Sequence, residues 1–242
     1  MAEQIEGKNP VLEALRANHE IVKIYILNEG SGPFQEIIGL ARQKKIPVTP
    51  VDSKVLDRMA TSRNHQGVIA VAAEWKYAQI TEIFQRASDR NEPPFILLLD
   101  GVEDPQNLGS IIRTAEAAGV HGIIIPDRRS VGLTAVVSRA SSGAVEHIPV
   151  ARVTNLTKAI EELKKEGLWF TGADMNAAKP FQESNLKGPI GVVMGGEGSG
   201  ISRLVKEHCD QLVRLPMWGQ INSLNVAVAT GIILYEVRRQ RS

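Results

Sequence analysis

Three short segments carry residue types that could do chemistry. The first is Asp100-Gly101-Val102-Glu103-Asp104-Pro105-Gln106-Asn107-Leu108-Gly109, with Arg113 just beyond it. The second is Gly195-Gly196-Glu197-Gly198-Ser199-Gly200, four glycines in six residues. The third is Leu215-Pro216-Met217-Trp218-Gly219-Gln220-Ile221-Asn222-Ser223-Leu224-Asn225. A dense glycine run lets a ligand approach the backbone closely. It does not end in the Gly-Lys-Ser/Thr of a phosphate loop, and its order is not G-x-G-x-x-G. Glu197 inside it would repel a pyrophosphate, so a cationic or neutral ligand fits better. The other two segments leave alternatives open. Asn107 could be a helix cap with Arg113 a solvated cation, and Asn222 could cap the helix that follows it. Capping does not account for Ser223 and Asn225 together, beside the positive end of that helix.

The elements around these segments are predicted from periodicity. Strands are expected at Phe95–Leu99, Gly122–Ile125, Val145–Val150, Leu168–Thr171, Ile190–Met194 and Leu212–Leu215. Helices are expected at Leu108–Ala118, Leu133–Ser141, Leu156–Glu166, Ile201–His208 and Ser223–Gln240. Apolar strands alternating with helices imply a parallel sheet covered on both faces. Each of the three segments follows a strand, where ligands of open α/β sheets bind. The first 77 residues read as a smaller α/β unit. Its strands are predicted at Ile21–Leu27, Ile46–Val51 and Gly67–Ala73. Its helices are predicted after an Asn9-Pro10 cap, after Ser31-Gly32-Pro33 and over Val55–Met59. Residues 78–94 hold a short helix, Ile80–Ala87, and a polar run ending in Pro93-Pro94 that reads as a linker. The expected domains are therefore 1–77, a linker 78–94, and 95–242.

Composition narrows the class. The 242 residues are 43% hydrophobic and 23% charged, near the globular average, which excludes a disordered tail, a collagen and a coiled coil. No apolar stretch approaches the ~18–20 residues that span a bilayer, and the N-terminal residues show no apolar h-region. A single cysteine, Cys209, can form neither an internal disulfide nor a multi-thiolate metal site. The expectation is a cytoplasmic protein without membrane attachment. Net charge is +1, with 12 basic and 11 acidic residues up to residue 90 and 16 of each beyond it. Neither part could coat nucleic acid by bulk charge. Aromatics at 5% argue against a base-stacking single-strand binder.

Taken together, D-G-V-x-D-P-x-N-L-G-S-I-I-R-T (Asp100–Thr114), V-M-G-G-E-G-S-G-I (Val193–Ile201) and L-P-M-x-G-x-x-N-S-L-N-V-A-V-A (Leu215–Ala229) resemble the three motifs of the SpoU family of RNA ribose 2′-O-methyltransferases, TrmH-like members of the SPOUT superfamily. They stand in the family's order and spacing. Gly7-Lys8-Asn9-Pro10-Val11 and Asn64-His65-Gln66-Gly67-Val68 resemble its substrate-binding domain, which is similar to an L30e-type fold. The 23S ribosomal RNA guanosine branch is the most similar.

The resemblance implies an α/β protein: a C-terminal parallel-sheet domain with a deep trefoil knot, and a small N-terminal α/β domain that binds RNA. It implies S-adenosylmethionine as cofactor, ribosomal RNA as partner, a homodimer and no metal. The implied catalytic group is Arg113, with Asn107, Glu197, Ser223 and Asn225 orienting it or the ribose. Gly195, Gly196, Leu215, Met217 and Leu224 would hold the cofactor. Arg113, Arg128, Arg139, Arg63 and His65 would contact RNA, with Arg129 beside Arg128. Two other classes compete. A nucleotide- or NAD-dependent enzyme on a doubly wound sheet is disfavoured by the glycine order and Glu197. A non-enzymatic RNA-binding protein is disfavoured because all five polar residues of the implied active site are present.

Overall fold

The computed structural model describes residues 3–28, 32–61 and 64–242, so Ser31 and Arg63 lie outside the described residues. The chain divides into two compact units, residues 1–76 with 132–147, and residues 77–131 with 148–242.

The smaller unit is built on a four-stranded mixed sheet in the order β1-β4-β2-β3. These strands are β1 (Glu3–Glu6), β2 (Ile21–Leu27), β3 (Val48–Val51) and β4 (Val68–Ala72). Sequence periodicity finds the last three, but β1 is too short to show an alternation. It pairs antiparallel with β4, which also runs antiparallel to β2. Helices α1 (Lys8–Arg16), α2 (Gln35–Gln43) and α3 (Ser53–Met59) cover it. The spacing of Val11, Ala14 and Leu15 buries one face of α1, and that of Ile37 and Ala41 one face of α2. The expected Asn9 cap is corrected. Gly7, at φ 102°, is the N-cap, and the Lys8 N–H finds its acceptor on Gln66 Oε1 at 3.0 Å. A positive φ there is one that only glycine adopts at little cost.

The larger unit holds seven parallel strands in the order β7-β6-β5-β10-β8-β11-β9. They are β5 (Phe95–Asp100), β6 (Gly122–Pro126), β7 (Val150–Val153), β8 (Trp169–Ala173), β9 (Lys179–Pro180), β10 (Ile190–Gly195) and β11 (Gln211–Arg214). Helices α4 (Ile80–Asp89), α5 (Pro105–Ala117), α7 (Leu156–Lys165), α8 (Arg203–His208) and α9 (Val226–Arg241) pack around them. Residues 95–99 of the interior strand β5 are wholly buried, as a strand covered on both faces requires. Within the expected linker, α4 sends Ile83 into the core cluster formed by Ile96, Ile124, Ile160 and Phe170.

Between β6 and β7 the chain contributes Gly132–His147 to the smaller unit. Helix α6 (Ala135–Ala140) packs on β1. Val145–Val150, expected as one strand, is instead a 3-10 turn over Ala144–Glu146, with β7 starting at Val150. Three carboxylates of the smaller unit fix this segment. The fully buried Glu6 pairs with Arg139 at 3.2 Å and accepts from the Thr61 N–H and hydroxyl, each at 2.6 Å. Glu146 meets His19 at 3.0 Å and the Trp75 indole N–H at 2.7 Å. Glu13 meets His147 at 2.6 Å.

Candidate active site

The glycine run follows β10 and the first segment follows β5, which are neighbours in the sheet, with Gly195 opposite Asp100. Asp100 fastens one to the other. Its carbonyl accepts the Gly196 N–H at 2.8 Å, and its carboxylate accepts the Ser202 N–H at 2.7 Å. The backbones approach so closely that no side chain fits. A Cβ on Gly195 would lie 1.9 Å from the Gly200 carbonyl carbon, and one on Gly196 would lie 1.9 Å from the Gly101 oxygen.

Helix α5 begins at an Asp104 cap with Pro105 in the first position. The Asp104 carboxylate accepts from the N–H groups of Gln106 and Asn107 at 3.2 Å each. Asn107 is therefore inside the first turn and not the cap, which frees its amide. Asn107 Nδ2 donates to Glu197 Oε1 at 2.9 Å. Helix α9 is capped by Asn225 and not by Asn222, because Asn225 Oδ1 accepts from Ala227 and Val228 N–H at 2.9 and 3.3 Å. Its Nδ2 donates to Asn107 Oδ1 at 2.9 Å and to Glu197 Oε1 at 3.0 Å. Three of the expected residues thus form one junction of two amides and one carboxylate. Ser223 lies in the exposed coil ahead of α9 rather than in its first turn.

The junction opens onto a cavity of about 710 Å³, within the ~300–1,000 Å³ usual for small-molecule sites. Gly195, Gly196, Leu215, Met217 and Leu224 line it, as do Glu197, Ser223 and Asn225. Asn107 reaches it only through its bonds to Glu197 and Asn225. Arg113 stands on the exposed face of α5, outside the cavity lining. Three polar residues of the lining were not singled out from the sequence: Asp174, Asn176 and Lys206. The one usable signal was the place of Asp174 directly after a parallel strand; Lys206 is one charge among many.

Arg128 and Arg129 are exposed directly after β6, on the same edge of the sheet as the site loops. Arg139 has its guanidinium on the buried Glu6, so its charge is already partnered. His65 is also engaged. Its Nδ1 accepts the Gly67 N–H at 3.1 Å, and its other nitrogen lies 3.0 Å from Asp57 Oδ1. Among the described residues, no group of three or more His, Cys, Asp or Glu is placed to hold a metal. Among the described residues, no helix is long and apolar enough to cross a membrane.

Residues 94–235 match the SpoU rRNA Methylase family, and residues 4–78 match the RNA 2′-O ribose methyltransferase substrate-binding family. YacO of Bacillus subtilis, named for the TrmH family of tRNA/rRNA methyltransferases, is 48% identical over 237 residues, covering 98% of this chain and 95% of its own. A Staphylococcus haemolyticus protein named for the same family is 45% identical over 239 residues, 98% of this chain and 95% of its own. The crystal structure of the AdoMet-bound rRNA methyltransferase from Sinorhizobium meliloti superposes with a TM-score of 0.80 at 28% identity, covering 98% of this chain and 87% of that one. By its two family matches and its full-length relatives, the chain belongs to the SpoU family of RNA 2′-O-methyltransferases.

Proposed function

We propose that this methyltransferase uses S-adenosylmethionine to methylate a ribose 2′-hydroxyl of 23S ribosomal RNA, at a guanosine, and works as a cytoplasmic homodimer. The observation that carries it is the Asn107–Glu197–Asn225 junction on the cavity. The cofactor supplies the methyl group from a cationic sulfonium. The cavity's residues fit it: Glu197 is a carboxylate whose partners at the junction are neutral amides, a suitable counter-charge for a cation. Leu215, Met217 and Leu224 offer apolar surface for an adenine. The backbone of Gly195 and Gly196 offers polar groups at close range.

Arg113 is assigned to the RNA. A guanidinium carries a permanent positive charge, so it binds the phosphate beside the target and stabilises negative charge developing on the 2′-oxygen. Ser223 and Asn225 orient the ribose. Holding the hydroxyl in line supplies much of the rate. Arg128 extends the phosphate-binding surface, and the smaller unit reads RNA shape. Arg63 and His65 are kept as contacts there, and Arg139 as a contact whose charge is shared with Glu6. The close crossing of the glycine run over Gly101 supports a trefoil knot in this half of the chain. Val228, Ile232 and Tyr235 form an exposed apolar stripe on α9, which supports a second copy there.

The test is methylation of unmodified 23S RNA and of transfer RNA with radiolabelled S-adenosylmethionine. Label is expected in 23S RNA, with the adjacent phosphodiester becoming alkali-resistant. Label in transfer RNA alone would move the target, as the names of the relatives allow. No incorporation into either, together with tight NAD binding, would overturn the proposal. Light scattering of the purified protein reads the dimer.

A further inference from the structure

A second polar cluster lies in the cavity, outside the three segments. Asp174 follows β8, and its N–H donates to the Val213 carbonyl of β11 at 2.9 Å. Its carboxylate is thereby fixed between the strand leading to Gly195 and the strand leading to Leu215. The side chain is only 8% exposed. Oδ1 accepts the Asn176 N–H at 2.8 Å, and Oδ2 pairs with the Lys206 ammonium of α8. Burial pushes the Asp174 carboxyl up. The Lys206 hydrogen bond, the Asn176 N–H and the Lys206 charge together outweigh this and hold it below its ordinary value, so it is ionised at neutral pH.

The two carboxylates of the cavity are electrostatically unlike. Glu197 is held by neutral amides and keeps its field, whereas Asp174 is neutralised by Lys206 at contact distance. A net charge suits a cation. A neutralised carboxylate suits neutral donors. Each oxygen of an ionised carboxylate accepts about two hydrogen bonds, and each Asp174 oxygen takes one donor from the described residues. Two adjacent acceptor positions match two adjacent hydroxyls.

We infer that Asp174, held by Lys206 and Asn176, is the subsite for the ribose diol of the adenosyl cofactor, accepting from its 2′- and 3′-hydroxyls. This rests on the assignment of the cavity to S-adenosylmethionine.

The test is calorimetric binding to the full chain of S-adenosylhomocysteine, its 2′-deoxy and 3′-deoxy analogues, and methylthioadenosine, which lacks the amino-acid end. In the wild type each deoxy analogue should bind roughly ten- to a hundredfold more weakly, the worth of a hydrogen bond to a charged acceptor. Asp174→Asn should weaken S-adenosylhomocysteine and methylthioadenosine by that same factor. It should also largely remove the deoxy penalty, because the two changes delete one interaction. Lys206→Met keeps the acceptor, so the deoxy penalty should persist, but binding should fall as pH is lowered from 7.5 toward 5.5 while the wild type stays flat. It also serves if the Asp174 variant does not fold. An undiminished deoxy penalty in Asp174→Asn overturns the inference. So does a loss confined to S-adenosylhomocysteine, which would place the pair on the amino-acid zwitterion instead. If the wild type binds none of the thioethers, the cofactor assignment itself fails and the subsite with it.

Discussion

Asn225 donates to Glu197 at 3.0 Å with the same side chain that caps α9. One residue therefore ties helix stability to the polarity of the site, and the two roles can be separated by substitution. Asn225→Asp keeps a capping oxygen and adds a favourable negative charge at the helix N-terminus, so it should melt above Asn225→Ala, which has no cap. It replaces the donor facing Glu197 with a like charge, so methylation should fall at least tenfold. Asn225→Ala should lose both, with the cap alone costing about 1 kcal/mol. Melting temperature and single-turnover methylation, measured side by side, check this.

Glu197 should discriminate by charge. Glu197→Gln keeps a similar shape and loses the carboxylate. The variant should lose more affinity for the cationic S-adenosylmethionine than for the neutral-sulfur S-adenosylhomocysteine. Equal losses would mean that Glu197 serves only the junction.

Arg113→Ala should leave cofactor affinity within a few-fold and cut turnover by roughly two orders of magnitude or more, the usual cost of removing a donor to a developing oxyanion. Equal loss of both would place Arg113 in the cofactor site.

The glycine run should tolerate substitution unevenly. Gly195→Ala and Gly196→Ala each force a methyl group to 1.9 Å from backbone atoms, so neither should give a natively folded larger unit. Gly219 has no heavy atom within 4 Å of an added Cβ, and Gly219→Ala should melt within about 0.5 kcal/mol of the parent.

Stability should fall in mild acid through His121. Burial, opposed by the nearby Glu92 charge, pushes this fully buried imidazole down to about 4 from 6.5. Its Nδ1 accepts the Phe95 N–H at 2.9 Å, so the proton sits on Nε2. Because the folded pKa is the lower one, the unfolded chain takes up a proton first as pH drops through 6.5. Stability is then lost down to about pH 4, by an amount on the order of 3 kcal/mol in total. His121→Gln keeps an acceptor for Phe95 and should flatten the melting temperature between pH 7 and 5.

The catalytic sheet was legible from the sequence because buried strands such as Phe95–Leu99 and Ile190–Met194 are unbroken apolar runs ending at glycine or aspartate. The loops after β5 and β10 could be placed together for the same reason. Caps were misread where two candidates stood close: Asp104 and Asn107 are both good cap residues, and only the backbone geometry chooses. Asp174 escaped because its partner, Lys206, lies 32 residues on, and no local pattern encodes that pairing. The smaller unit was harder. β1 has four residues, and its stabilising partners include a helix 130 residues away.

That last relation has a consequence for dissecting the protein. Glu6 is fully buried, and its cationic partner Arg139 is encoded beyond residue 130. An N-terminal fragment ending near residue 77 would lack the Arg139 guanidinium that pairs with Glu6, and removing one partner of a buried ion pair destabilises the fold. Grafting this RNA-binding module onto another enzyme would therefore need Gly132–His147 supplied alongside it, as a split-fragment complement rather than a simple fusion.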